Sequence, residues 1–231
     1  MSVFKFKEFY ITQEKSAMKV GTDGVLIGCW GSCEAANTIL DIGCGSGLIT
    51  LMLAQRNLNS NVIGIEIDKI ASQEAQLNIS NSDWEERIGI KHSSLQQFTT
   101  QLKFDLIVSN PPFFPKNKSL KSRDIARHTN TLSFEELIDN ATNLLSEKGI
   151  FSVIIPKNSE EYFCQTASAH KLYLNKVCYV KGNETSEVKR VMMEFSFIKS
   201  IVLIEHLTIE RSRHNYTEKY INLCKDFYLN M

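Results

Sequence analysis

The chain has 231 residues, 43% of them hydrophobic, and 26 Lys and Arg balance 26 Asp and Glu, so a partner held by overall charge is disfavoured. This composition suits one α/β domain with a real apolar core. Neither a run of 18 apolar residues nor an uninterrupted apolar signal core at Met1–Glu8 is present, so no membrane span is expected. The six cysteines, at 29, 33, 44, 164, 178 and 224, form no Cys-x-x-Cys pair, and Cys29-x3-Cys33 lacks a second Cys or His pair; free thiols of a cytoplasmic protein without a metal are expected.

In chain order, residues 1–19 read as an entry segment with a short alternating strand at 8–12. A helix over 23–31 follows, with Asp23 placed to cap it. The apolar stretch 38–42 is a strand that runs into a glycine-rich turn, Asp41-Ile42-Gly43-Cys44-Gly45-Ser46-Gly47, and a helix at 47–56. Next come a strand at 61–66 ending in Glu66, a helix at 69–81, a strand at 87–92 and a short helix near 95–100. The run Phe104-Asp105-Leu106-Ile107-Val108-Ser109 is a buried strand, stopped by Asn110-Pro111-Pro112-Phe113.

Downstream, loop 113–131 precedes a helix near 133–147. Ser133-Phe134-Glu135-Glu136 is a capping-box signature at its start, and Gly149 is expected to stop it. A strand at 150–155 ends at Pro156. A helix near 158–171 and strands at 175–181 and 189–198, joined by a hairpin at 182–188, are expected to complete the sheet. The tail from Tyr216 to Met231 reads as helical and aromatic. Strand–helix alternation implies a mostly parallel sheet with helices on both faces and an antiparallel last strand, with ligands at the carboxyl ends of the strands.

Two motifs carry the chemistry. Two prolines after a strand make a stiff shelf at Asn110. It offers an amide oxygen, the Pro111 carbonyl and the Phe113 ring, which together suit a flat –NH2 group: two acceptors and a stacking face. The glycine loop allows close approach of a ligand, and Glu66 lies about 20 residues beyond it, the distance at which a carboxylate grips ribose hydroxyls in such folds. Between Pro115 and His128 the basic residues Lys116, Lys118, Lys121, Arg123, Arg127 and His128 meet a single acid, Asp124. Beside a base pocket, such a segment is expected to contact phosphates.

In order and spacing, Asp-x-Gly-x-Gly-x-Gly, a strand ending in Glu66 and a strand ending in Asn-Pro-Pro-Phe resemble the class I S-adenosylmethionine-dependent methyltransferases that act on exocyclic or amide nitrogens. With Lys19-Val20-Gly21-Thr22-Asp23-Gly24, Ala126-Arg127-His128-Thr129 and the tail Tyr216-x3-Tyr220 to Asp226-Phe227-Tyr228-Leu229, the whole chain resembles the bacterial tRNA adenine-N6 methyltransferases that modify the adenosine 3′ to the anticodon of valine tRNA. The resemblance implies a Rossmann-like domain over residues 1–231 with a seven-stranded sheet: 1–35 as an N-terminal extension packing by the cofactor site and 36–231 as the core. It also implies a monomer with a tRNA substrate.

By the same resemblance, S-adenosylmethionine would be held by Lys19, Thr22, Asp23, Asp41, Gly43, Gly45, Gly47, Glu66, Ile67, Ser94 and Asn110. Asn110, Pro111, Pro112 and Phe113 would hold the target amine. Ser94 stands where the family commonly has an acid, and Phe113 where it commonly has Tyr. Phe is also found in ribosomal RNA guanine-N2 methyltransferases, and a glutamine amide is a flat –NH2 as well. Guanine-N2 and protein N5-glutamine methylation are therefore the alternatives.

Overall fold

A computed structural model describes residues 2–16, 18–112 and 132–231. The elements are β1 (Val3–Lys5), β2 (Tyr10–Thr12), α1 (Thr22–Trp30), β3 (Thr38–Ile42), α2 (Leu48–Arg56), β4 (Asn61–Glu66), α3 (Lys69–Ser80), β5 (Ile88–His92), β6 (Phe104–Ser109), α4 (Phe134–Leu144), β7 (Leu145–Pro156), α5 (Glu160–Ala169), β8 (Tyr173–Asn183), β9 (Val188–Ser196), β10 (Leu203–Ser212), β11 (Asn215–Tyr216) and α6 (Glu218–Cys224).

Nine described strands form the main sheet in the order β11-β10-β8-β9-β7-β6-β3-β4-β5. The block β5-β4-β3-β6-β7 is parallel, β9 runs antiparallel between β7 and β8, and β10 is parallel to β8. A mostly parallel sheet must be covered on both faces. One face packs Leu26, Ile39, Met52, Val108, Ile154 and Met192 beneath α1 and α2. The other packs Leu40, Ile107, Leu137, Phe151, Phe163 and Met193 beneath α4 and α5.

The seven-stranded expectation therefore holds for the core order, but β10 and β11 extend the sheet by two strands. The strand expected at 8–12 is half of a separate hairpin, β1–β2. Its Phe6 lies 4.7 Å from Phe9 and 5.8 Å from Tyr228, so the two chain ends pack together. The helix expected near 95–100 is a three-residue 3-10 turn, Leu95–Gln97. Gly149 stops no helix: α4 ends at Leu144, and Gly149 lies in a bulge where β6–β7 register shifts between Phe104 and Leu106. A Cβ there would stand 2.7 Å from the Phe104 carbonyl oxygen, which explains the glycine. The capping box at Ser133 and Glu136 is present as expected.

Asp23 does not cap α1. Gly21 is the N-cap residue, without a side-chain bond, and the Asp23 carboxylate instead pairs with Arg190 of β9 at 2.7 Å. The reason is position: Asp23 sits inside the first turn, facing β9, the antiparallel strand between β7 and β8.

Candidate active site

Strand register brings the two motifs together. Ile42 of β3 pairs with Ser109 of β6 on one side and with Ile65 of β4 on the other, and Glu66 pairs with His92 of β5. The glycine loop, Glu66, Ser93 and Asn110 therefore leave adjacent strands at one level. The Ser109 hydroxyl donates to the Ile42 carbonyl at 3.0 Å and locks that level.

Above it lies a cavity of about 640 Å³. Its walls are residues 18–24, residues 43–46, residues 65–67, residues 93–96, residues 110–112, and Leu132 and Arg190, with Ile42, Leu48 and Ile49 at its floor. Of the residues anticipated from sequence, Lys19, Thr22, Asp23, Gly43, Gly45, Glu66, Ile67, Ser94, Asn110, Pro111 and Pro112 line it. Asp41 and Gly47 are not on its wall. Phe113, Lys116, Lys118, Lys121, Arg123, Arg127 and His128 lie outside the described residues.

The glycine loop is built for left-handed backbone: φ is +72° at Gly43, +57° at Gly45 and +87° at Gly47. A Cβ at Gly43 or Gly45 would meet nothing within 4 Å, so these two leave open space that a ligand can occupy. Gly47 serves packing instead; its Cβ position is 3.4 Å from Ala75 of α3, where the chain enters α2. Gly43 N and Cys44 N both donate to the Ile65 carbonyl, at 2.9 and 3.0 Å.

Glu66 is oriented before any ligand arrives. Its Oε2 accepts from Gly45 N at 2.9 Å and its Oε1 from Asp68 N at 2.8 Å. Each oxygen keeps a second lone pair for a hydroxyl on the cavity side. The Ser93 amide donates to the Glu66 carbonyl at 3.0 Å, which fixes the wall formed by residues 93–96. Ile67, 52% exposed, offers an apolar face beside Glu66.

Asp41 is fully buried beneath the loop. Its Oδ2 accepts from the Thr50 hydroxyl at 2.6 Å, while Oδ1 has no partner among the described residues. Burial pushes its carboxyl up to about 7, against the opposing pull of the Thr50 bonds.

Asn110 is half-buried at the inner end of the shelf, beside Gly24 of α1. A Cβ on Gly24 would stand 3.1 Å from Leu48 Cδ2 and 4.0 Å from Asn110 Nδ2, so the bare glycine makes room for Leu48 and leaves the amide at ordinary contact distance. Lys19 donates its ammonium to the carbonyls of Gln13 and Glu14 and so braces the wall it belongs to.

Sequence reasoning missed Arg190 and Gln96 as wall residues. Arg190 has no local signal; only the pairing of Pro156 with Arg190 across β7 and β9 brings it there. Gln96 was within reach, two residues past Ser94 on the same turn. The cavity thus offers carboxylates, backbone amides and one rigid amide acceptor. Among the described residues no histidine lines it, so the arrangement favours positioning and preplaced dipoles over strong-base chemistry.

Comparison with known proteins bears on the family and the fold. Residues 24–171 match the family model of the methyltransferase small domain. Proteins named tRNA1(Val) (adenine(37)-N6)-methyltransferase are similar over nearly the full length. The one from Flavobacterium psychrophilum is 47% identical, covering 99% of this chain and all of that protein. The Phocaeicola vulgatus protein is 45% identical over 99% of this chain and 98% of its own length, and that of Pseudoalteromonas translucida is 42% identical, with both covered completely. Among solved structures, a predicted O-methyltransferase from Agrobacterium tumefaciens superposes with a TM-score of 0.69 at 16% identity, covering 89% of this chain and 96% of that one. A TehB-like SAM-dependent methyltransferase from Corynebacterium glutamicum gives 0.52 at 19% identity, over 78% and 89%. At such identities these structures speak for the fold alone.

Proposed function

This chain belongs to the methyltransferase small domain family and, within it, to the bacterial tRNA1(Val) (adenine(37)-N6)-methyltransferases, and from that premise we propose that it transfers a methyl group from S-adenosylmethionine to N6 of adenosine 37 in valine tRNA. The observation that carries the reading is the convergence of the Asn110-Pro111-Pro112 shelf with the glycine loop and Glu66 on one cavity.

The cavity suits the cofactor in three respects. Gly43 and Gly45 leave space at the loop. Glu66 presents oriented carboxylate oxygens suited to a ribose diol. The buried Asp41 sets a negative potential beneath the loop when ionised, which complements a cationic ligand. S-adenosylmethionine supplies an electrophilic methyl group when bound. Ser94 and Gln96 would face its adenine edge and Ile67 its plane, with Lys19, Thr22 and Asp23 on the opposite wall.

The protein's own part in the reaction is to hold the amine. An aromatic –NH2 is a weak nucleophile because its lone pair is delocalised into the ring. When the Asn110 side-chain oxygen and the Pro111 carbonyl both accept from it, the nitrogen moves toward tetrahedral geometry and its lone pair is freed. Dipoles already in place then stabilise the N–H acidity that develops. Phe113 would stack on the base after it leaves its own stack.

The test is incubation with labelled cofactor and separate tRNA, ribosomal RNA and protein pools, followed by nucleoside and amino-acid mass spectrometry. N6-methyladenosine at position 37 of valine tRNA is the expected product. N2-methylguanosine or methylglutamine in its place would overturn the reading.

A further inference from the structure

The sheet extends two strands beyond what the cavity needs. No residue of β10 or β11 lines the cavity. Yet β8 and β10 run parallel to the strands that end at the site, and β9 starts there. Their ends therefore continue the cavity-side edge of the sheet away from Arg190, at roughly 4.8 Å per strand.

That edge carries Lys181, Lys189, Arg211 and Arg213. Lys189, Arg211 and Arg213 are exposed and Lys181 is half-exposed. Register places them at neighbouring strand ends: Lys181 pairs with Val188, which precedes Lys189, and Asn183 pairs with Glu210, which precedes Arg211. Among the described residues none of the four is held in an ion pair, whereas Arg56, Lys157 and Arg190 are. Acids lie among them. Glu184 and Glu187 occupy the tip of the β8–β9 turn, and Glu210 accepts from the His214 amide at 3.3 Å. His214 itself sits at φ +64°, a left-handed conformation that turns the β10–β11 hairpin tightly between Ser212 and Asn215.

We propose that this strand-end ridge of Lys181, Lys189, Arg211 and Arg213 is a docking surface for the sugar–phosphate backbone flanking the nucleoside that enters the cavity. The inference rests on the RNA-substrate reading given above and adds where the RNA lies. A base drawn into a cavity of about 640 Å³ leaves its neighbouring phosphates at the rim. The ridge begins at that rim, through Lys189 beside Arg190. Its cations contact phosphates and so seat the RNA without reading its sequence.

The test is the Lys189→Ala, Arg211→Ala, Arg213→Ala triple variant, with binding of unmodified valine tRNA measured by fluorescence anisotropy from 50 to 200 mM salt. The expected result is a Kd raised roughly tenfold or more, with a log–log salt slope shallower by about two to three. Cofactor affinity and turnover at saturating tRNA stay at wild-type values. A second variant, with Lys189→Arg, Arg211→Lys and Arg213→Lys, restores binding. A triple variant with wild-type Kd and slope overturns the ridge, and so does a loss that the charge-preserving variant fails to restore. If the wild-type protein binds tRNA with a ridge-dependent slope but makes no N6-methyladenosine, the proposed activity falls and the ridge stands.

Discussion

Asn110 and Asp41 sit at neighbouring strand ends and answer to different forces. Asn110 is followed by the stiff pair Pro111 and Pro112 and lies beside Gly24 of α1. Removing its amide takes away an acceptor that matters most as charge develops on the amine. Asn110→Ala is expected to lower turnover about 10²- to 10³-fold while changing cofactor affinity by less than about threefold; single-turnover rates and calorimetric titration separate the two, and wild-type turnover would rule out the acceptor role. For Asp41, burial raises the folded-state value to about 7 from an ordinary 3.8. Between those values the folded protein binds more protons than the unfolded chain. Stability from this group is thus complete below about pH 4 and is lost as pH rises to about 7. Asp41→Asn removes that dependence. The melting temperature of the variant relative to wild type should therefore climb from pH 4 to 7 and level off above; a flat difference would refute the assignment. The Asn-Pro-Pro run announces itself in the sequence because prolines after an apolar strand are conspicuous. Arg190, on the same cavity, is silent because nothing local marks it.

At the level of elements, α3 latches the N-terminal wall of the cavity. Asn78, 1% exposed, accepts from Thr12 N at 2.8 Å and donates to the carbonyls of Thr12 at 3.0 Å and Ser46 at 2.8 Å. One amide thus ties β2 to the glycine loop. Glu74, 8% exposed, accepts from Lys15 N at 2.7 Å, Ser16 N at 2.9 Å and the Ser16 hydroxyl. Glu74→Ala leaves two backbone amides without their acceptor, at a cost of roughly 1–3 kcal/mol. Because that segment leads directly into wall residues 18–21, cofactor affinity should drop about tenfold and amides 15–21 should exchange faster with deuterium. Faster exchange with unchanged affinity would show that the latch does not shape the site. The strands that build the site, β3, β4 and β6, were legible because continuous apolar runs end in glycine, an acid or proline. β10 was not. Leu203 and Ile204 are 55% and 59% exposed, so its alternation is blurred, and its burial comes from β8 and α6, which no local pattern reveals. Gly149 was misread for a related reason: a glycine after a helix signals a stop, but here the constraint is the Phe104 carbonyl across the bulge.

Considered as a whole, the molecule presents its cavity on a frame that is already set. The register across β5-β4-β3-β6 is continuous, the glycine loop is anchored to Ile65, and Glu66 is tied at both oxygens. Binding to such a frame spends little on reorganisation, and the ligand free energy adds to folding stability. A ligand at 100 times its Kd stabilises by about 2.7 kcal/mol. For a chain of 231 residues that corresponds to a rise in melting temperature of roughly 5–10 °C. S-adenosylhomocysteine, the demethylated product, should produce this shift in the wild-type protein and in Asn110→Ala, whose frame is intact. Gly45→Val should not show it. A side chain there is strained at φ +57° and fills space that is otherwise open within 4 Å. Because strain lowers the melting temperature with or without ligand, the ligand-induced shift is the quantity to read by differential scanning fluorimetry. A wild-type shift retained in Gly45→Val would mean that the ligand does not approach the loop, and the cavity would lose its claim as the cofactor site.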